Sequence, residues 1–184
     1  MNSVNETVQE SVRLKKGKVM LEGVLQIPAG SVGAVLFAHG SGSSRHSTRN
    51  RAVAAALRRA RLGTLLIDLL STSEADLDAR TMHLRFDIAV LADRLNWVAD
   101  SMGSRVETRD LPIGLFGAST GAAAALVAAG QRPADVAAVV SRGGPARSGR
   151  PRAFGCRGAD VADCWGKRPR GDGLEPAGAT LLAL

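Results

Sequence analysis

Residues 117–121 hold a serine whose neighbours suit nucleophilic chemistry. They read Gly-Ala-Ser-Thr-Gly, the G-x-S-x-G pattern, between a predicted strand and a predicted helix. In that context the turn is so sharp that Ser119 stands above the sheet in a strained conformation, and a side chain on either glycine would clash. We therefore expect Ser119 to attack a carbonyl carbon. A tight glycine-rich turn without chemistry is the alternative.

An attacked carbonyl needs donors for the oxygen that becomes negative. Thr120 begins the predicted helix, so its backbone amide and the helix dipole favour an oxyanion there. The sequence His39-Gly40-Ser41 follows an earlier strand and is placed to give the amide of Ser41 as the second donor. We expect an oxyanion hole made of the Ser41 and Thr120 amides, with His39 lining the site.

The loop 40–44, Gly-Ser-Gly-Ser-Ser, has a competing interpretation as a phosphate-binding loop, because it too joins a buried strand to a helix. It lacks the Gly-Lys-Ser/Thr end of a Walker loop, and Arg45 stands where G-x-G-x-x-G needs its third glycine. A nucleotide-binding module built on Gly40 to Ser44, or a non-catalytic remnant, remains the alternative to a hydrolase.

Strands and helices alternate along the chain, which predicts an α/β fold with a mostly parallel sheet and helices on both faces. Asp68 ends one buried strand, where open α/β sheets place ligand-facing groups, so it is a second site-lining candidate; capping of a nearby turn is the alternative.

The hydrophobic pattern predicts the individual elements. It indicates an antiparallel edge strand or hairpin at 19–27 and buried strands at 34–38, 64–70, 112–116 and 136–140. It indicates helices at 48–61 (stopped by Gly63), 84–98 and 122–129, with a polar loop after Leu70.

Composition limits the classes of function. A chain of 184 residues suits one domain, and its net charge of +7 is spread without the basic stripe and interleaved aromatics that nucleic-acid binding favours. The polar start and the absence of a long apolar run predict no export signal and no membrane helix, hence a cytoplasmic protein. Cys156 and Cys164 have no partner at a metal-ligand spacing, so no metal site and no cofactor are expected.

Five segments together resemble the dienelactone-hydrolase-like branch of the α/β-hydrolases. They are 39–50, 65–70, 81–87, 117–121 and 141–144, and the likeness covers roughly residues 15–144. The resemblance implies a Ser-Asp-His enzyme that acts on an ester-like small molecule, similar to proteins fused to or encoded beside phosphoribosyltransferases. Dienelactone hydrolases proper use cysteine where this chain has Ser119, so their substrate is not carried over.

The remaining catalytic groups do not follow the serine. In this fold the acid and the histidine come after the nucleophile, yet His39, His46 and His83 all precede Ser119. His46 and His83 are expected at surface or helix positions. The sequence therefore predicts little or no turnover for the 184-residue chain as it stands.

Residues 145–184 change character, being rich in Arg, Gly and Pro without a period, which predicts an aberrant, disordered tail after a hydrolase region at 1–144. If the codons for residues 159–171 are read one base later, they permit the sequence Pro-Thr-Leu-Leu-Ile-Val-Gly-Gly-Ser-Asp-Pro-Val-Val. This would be a buried strand that ends in Gly-Gly-x-Asp, the pattern in which the family resembled here places its catalytic acid. We expect a one-base shift near Pro145 that replaced the C-terminal third; a genuine divergent tail is the alternative. The strand at 136–140 would then be an uncovered, aggregation-prone edge.

Overall fold

The computed structural model describes residues 7–142 and 180–183, and within them seven strands form one mixed sheet. The strands are β1 (Val8–Lys16), β2 (Val19–Ile27), β3 (Gly33–Ala38), β4 (Leu62–Ile67), β5 (Ile113–Ala118), β6 (Val136–Arg142) and β7 (Thr180–Ala183). The helices are α1 (Thr48–Arg59), α2 (Thr72–Thr81), a 3-10 turn (Leu84–Phe86), α3 (Ile88–Gly103) and α4 (Thr120–Gln131). The strand order is β1-β2-β4-β3-β5-β6-β7.

A hairpin opens the sheet. β1 and β2 are antiparallel, with Lys16 opposite Val19 across a turn in which Gly17 has a φ of +59°. β2 also pairs antiparallel with β4. The hairpin prediction for 19–27 is therefore confirmed, but its edge position is wrong, because the polar strand β1 lies outside β2.

The parallel strands carry the core. β3, β4 and β5 are buried along their whole length, as expected for apolar runs covered on both faces. Gly63, expected to stop the first helix, instead lies inside β4, where an added Cβ would stand 2.3 Å from Ile27 Cδ1. The helix ends earlier, at Arg59.

Helices cover both faces of the sheet, as predicted. α3 and α4 pack on one face through Leu95, Val98 and Ala125, while α1 packs on the other through Ala54 against Phe37. The polar loop predicted after Leu70 is wrong. That segment forms α2, because Ser71 and Glu74 make a capping box whose side chains satisfy each other's backbone amides.

The expectation of an uncovered edge at β6 is also wrong. β7 pairs with β6 in parallel, from Thr180 beside Ala138 to Ala183 beside Ser141. Residues 143–179 and Leu184 lie outside the described residues, and with them the rest of the predicted tail, including Cys156 and Cys164. Among the described helices, none combines the length and apolar character needed to cross a membrane.

Candidate active site

Ser119 stands at a strained turn between β5 and α4. Its φ is +53° and its ψ is −121°, a backbone conformation that residues with a Cβ rarely adopt. Its side chain makes no capping hydrogen bond, and the residue is exposed. The backbone amide of Ser119 donates to the carbonyl of Arg142, which ties the turn to β6. The serine is thus held in a strained, accessible position.

The glycines around Ser119 are required by backbone contacts. A Cβ on Gly121 would lie 2.2 Å from the carbonyl oxygen of Ala38, and one on Gly117 would lie 2.4 Å from Cα of Ala122. Backbone atoms cannot move aside as the end of a flexible side chain can. The sequence pattern at 117–121 therefore reflects packing that admits only glycine at both positions.

The loop after β3 meets this turn directly. A Cβ on Gly40 would lie 2.9 Å from the carbonyl oxygen of Ala118 and 3.0 Å from Cβ of Ser119. The amide of Ser41 donates to the hydroxyl oxygen Oγ1 of Thr120 at 3.0 Å. The structure therefore brings Ser41, Ser119 and Thr120 together, and the Ser41 amide is occupied by the threonine hydroxyl.

His39 and Asp68, the two predicted lining residues, also lie side by side. Nδ1 of His39 lies 3.0 Å from the carbonyl oxygen of Gly40, and because a carbonyl oxygen only accepts, Nδ1 is the donor in this contact. Nε2 is buried without a hydrogen-bond partner, 3.4 Å from Oδ1 of Asp68. Because both ring nitrogens are turned to these neighbours, His39 is not arranged as a base for Ser119.

Arg45 joins Asp68 to a residue that sequence reasoning missed. Its amide donates to Oδ1 of Asp68 at 2.5 Å, and its guanidinium contacts the other carboxylate oxygen of Asp68. The same guanidinium donates to Oε2 of Glu22 at 2.9 Å. Glu22 belongs to β2 of the hairpin. In the sequence, the only signal for its role was a polar side chain within a strand of alternating polar and apolar residues. Asp68 thus anchors the loop between β3 and α1.

Two cavities flank the loop that begins at Gly40. The polar cavity, of about 300 Å³, is lined by Ser41, Thr120 and a set of charged and apolar side chains: Glu22, His39, Arg45, Asp68, Asp76, Asp78, Arg85, Met20, Leu69, Leu70, Ala75 and Leu91. The serine cavity, of about 340 Å³, contains Ser119 and is lined also by Ser47, Arg49, Asn50, Ala118 and Arg142. Gly40 and Ser43 line both, so the cavities adjoin along the loop that carries Ser41.

One wall of the polar cavity is fixed by a buried ion pair. Asp78 accepts hydrogen bonds from the Arg85 amide at 3.0 Å and from its Nε at 2.6 Å. Burial alone would raise the pKa of Asp78, but these bonds, the Arg85 charge and the Leu84 amide outweigh it and lower the pKa below its ordinary value. The carboxylate therefore stays ionised and holds the 3-10 turn against α2.

The other two histidines are exposed, as predicted: His46 in the loop before α1 and His83 before the 3-10 turn. No group of three His, Cys, Asp or Glu side chains within 7–142 is arranged to hold a metal ion. The catalytic acid and base thus have no candidate beside Ser119 in the part of the chain that the structure describes.

No protein-family model matches the chain. Two curated proteins from Mycobacterium tuberculosis strains, each named "Putative phosphoribosyl transferase", are 50% identical over 135 residues, which are 73% of this chain and 30% of theirs. The chain therefore spans less than a third of the length of these relatives.

Solved structures are similar over the same region. A dienelactone hydrolase from Anabaena variabilis is 56% identical with a TM-score of 0.73, over 75% of this chain and 64% of that one. An esterase from Pyrococcus furiosus shares the fold at 19% identity and a TM-score of 0.61, over 76% of this chain and 53% of that one. The resemblance predicted from the sequence is confirmed: the described part of the chain has the α/β-hydrolase fold and is similar to its dienelactone-hydrolase-like branch.

Proposed function

We propose that this chain carries the nucleophile region of a serine-type hydrolase, which acts on an ester or related carbonyl compound through an acyl-enzyme on Ser119. The observation that carries the proposal is the positive φ of +53° at an exposed serine directly before α4. Such strain persists only where the surrounding structure enforces it, and it clusters at active sites. The similarity to a dienelactone hydrolase at 56% identity supports the same reaction class.

The proposed oxyanion hole consists of the backbone amides of Ser41 and Thr120. Support comes from the contact between the two segments, where the Ser41 amide lies 3.0 Å from Thr120 Oγ1. A hydroxyl oxygen there is a weak substitute for an oxyanion. When the substrate oxygen becomes negative, it is the better acceptor for the Ser41 amide, and the threonine hydroxyl turns away.

The proton acceptor for Ser119 is the missing part of the mechanism. His39 is turned to Gly40 and Asp68, and His46 and His83 are exposed. We infer that residues from about Pro145 onward derive from a one-base shift, and that the original frame encodes the acid and the histidine. The literal chain is then expected to show little or no turnover, because removing triad members leaves only the small rate from the oxyanion hole and binding.

Resequencing the gene from the Ser119 codon to well beyond the Leu184 codon, with translation of all three frames, tests the shift. The expected result is a displaced frame that encodes the acid strand and a later histidine. A tail without either in any frame would contradict this account.

A fluorophosphonate probe then tests the reaction. We expect the chain with its frame corrected to be labelled on Ser119, as read by peptide mass spectrometry, and to hydrolyse a nitrophenyl ester. The 184-residue chain is expected to label far more slowly. Ser119→Ala is the negative control, and Ser43→Ala, which removes a neighbouring hydroxyl from the same cavity, is the matched control that should still label. No labelling of a frame-corrected chain that contains the histidine would reject the hydrolase.

The nucleotide-binding alternative is disfavoured by the hydrogen bonds of the loop. A phosphate-binding loop presents free backbone amides to its ligand. Here two amides of the loop, those of Ser41 and Ser43, already donate to partners within the protein, and so do the amides that follow the loop, of Arg45, His46 and Ser47. Saturable ATP binding that is lost in Gly42→Ala would favour that alternative.

The relatives named for phosphoribosyl transfer are matched over only 30% of their length. Because the matched region has the α/β-hydrolase fold in this chain, we infer that the transferase function named for those proteins belongs to another part of them. A hydrolase joined to, or encoded beside, a phosphoribosyltransferase is the arrangement we propose for this family. A small-molecule substrate and a cytoplasmic location remain predictions.

A further inference from the structure

The polar cavity is the feature that limits which substrates the proposed hydrolase accepts. Ser41 and Thr120 are among its lining residues, so a substrate whose carbonyl oxygen occupies the proposed oxyanion hole has room to extend a group into this cavity. A volume of about 300 Å³ suits a small aliphatic group. The charges along its wall then determine whether a cationic, neutral or anionic substrate group binds there.

The cations of this cavity are already neutralised. Arg45 contacts two carboxylates at once, those of Asp68 and Glu22. Arg85 is bound by Asp78, with Nε 2.6 Å from Oδ2. Neither guanidinium therefore has an unopposed positive charge to offer a ligand.

Negative groups remain in excess. Four carboxylates (Glu22, Asp68, Asp76 and Asp78) line the cavity against two guanidinium groups, those of Arg45 and Arg85. Arg13 approaches Glu22 at 3.6 Å from outside, but its side chain is 75% exposed, so water screens its charge.

A ligand carboxylate in this cavity would face like charges in a partly dry environment, which costs free energy. A ligand ammonium would instead be attracted by the surplus of carboxylates, among which Asp76 forms no ion pair with another described residue, while its alkyl chain would have Leu69, Leu70 and Leu91 as apolar neighbours. We propose that the polar cavity is a specificity pocket for a positively charged group, a primary ammonium on an aliphatic chain, and that it rejects carboxylates. The proposal rests on the proposed function for its link to catalysis, but not for its binding chemistry.

Calorimetric titration of the 184-residue chain with n-butylammonium, n-butanol and butanoate tests it. The three probes share one chain length and differ in charge. We expect the ammonium to bind about tenfold more tightly than the alcohol, and butanoate more weakly than both. Glu22→Gln should reduce the ammonium preference several-fold, since it removes one of the excess charges. Asp110→Asn, whose carboxylate is 86% exposed and lies outside the cavity, is the matched control and should keep the preference.

Equal binding of the three probes, binding of butanoate above the ammonium, no binding of any, or an unchanged preference in Glu22→Gln would each overturn the proposal. The titration measures binding and needs no turnover, so its outcome is independent of the outcome of the fluorophosphonate labelling experiment. An ammonium preference in a protein whose corrected form never labels would reject the hydrolase alone. Labelling of Ser119 without any charge preference would reject the pocket alone.

Discussion

The backbone amide of Ser41 donates a hydrogen bond to Oγ1 of Thr120 at 3.0 Å, across 79 residues of sequence. This bond joins the loop after β3 to the first residue of α4. It holds the Ser41 amide beside the strained serine before any substrate arrives. The threonine hydroxyl therefore both positions the proposed oxyanion donor and occupies it.

Removing that hydroxyl should free the loop. Thr120→Val keeps the side-chain shape but removes the acceptor, at a cost of about 1 kcal/mol of local stability. Amide hydrogen exchange of Ser41 is then expected to become roughly fivefold faster. Thr120→Ser retains the hydroxyl and should keep the slow exchange. Equal exchange in Thr120→Val and the parent chain would show that other contacts hold the loop.

The strain at Ser119 predicts that glycine stabilises the protein at this position. Ser119→Gly removes the Cβ that opposes a φ of +53°, and it should raise the free energy of unfolding by about 1 kcal/mol after the entropic cost of glycine. Ser119→Ala retains the Cβ and should stay within about 0.5 kcal/mol of the parent. Urea titrations of the three chains measure this. A less stable Ser119→Gly variant would mean that the turn is not strained.

Gly121 and Gly130 lie on the same helix and should respond in opposite ways to alanine. At Gly121 the new Cβ would stand 2.2 Å from a backbone oxygen of Ala38, so we expect a loss of roughly 3 kcal/mol in the free energy of unfolding. At Gly130 an added Cβ meets nothing within 4 Å, so alanine should add about 0.5 kcal/mol. Thermal and urea denaturation compare the two, and similar effects at both sites would contradict the packing argument.

Much of the fold could be predicted because the parallel strands are continuous apolar runs, such as Leu36 and Phe37 in β3, that local pattern identifies. β1 was not predicted because an outer strand exposes most of its side chains and contains no apolar run. α2 was not predicted because its residues are mostly polar, although the capping box of Ser71 and Glu74 is visible in the sequence. At the site, motif spacing located Ser119 and Ser41, whereas Glu22 could not be found because its role depends on the pairing of β2 with β4.

Asp78 should make stability depend on pH in a definite direction. The Arg85 bonds lower its pKa in the folded chain, so the ionised carboxylate stabilises the fold above the ordinary aspartate pKa of about 3.9. That contribution is lost as the pH falls through the lowered pKa, because protonation then breaks the ion pair. Asp78→Asn lacks the charge at every pH.

The melting temperature of Asp78→Asn should therefore lie below that of the parent chain at neutral pH, and the gap should narrow as the pH falls below about 4. Asp110→Asn removes an acid whose side chain is 86% exposed and should track the parent throughout. Melting curves recorded across this range in one buffer series measure the gap. A gap that stays constant down to the most acidic point would show that Asp78 acts through packing and not through its charge.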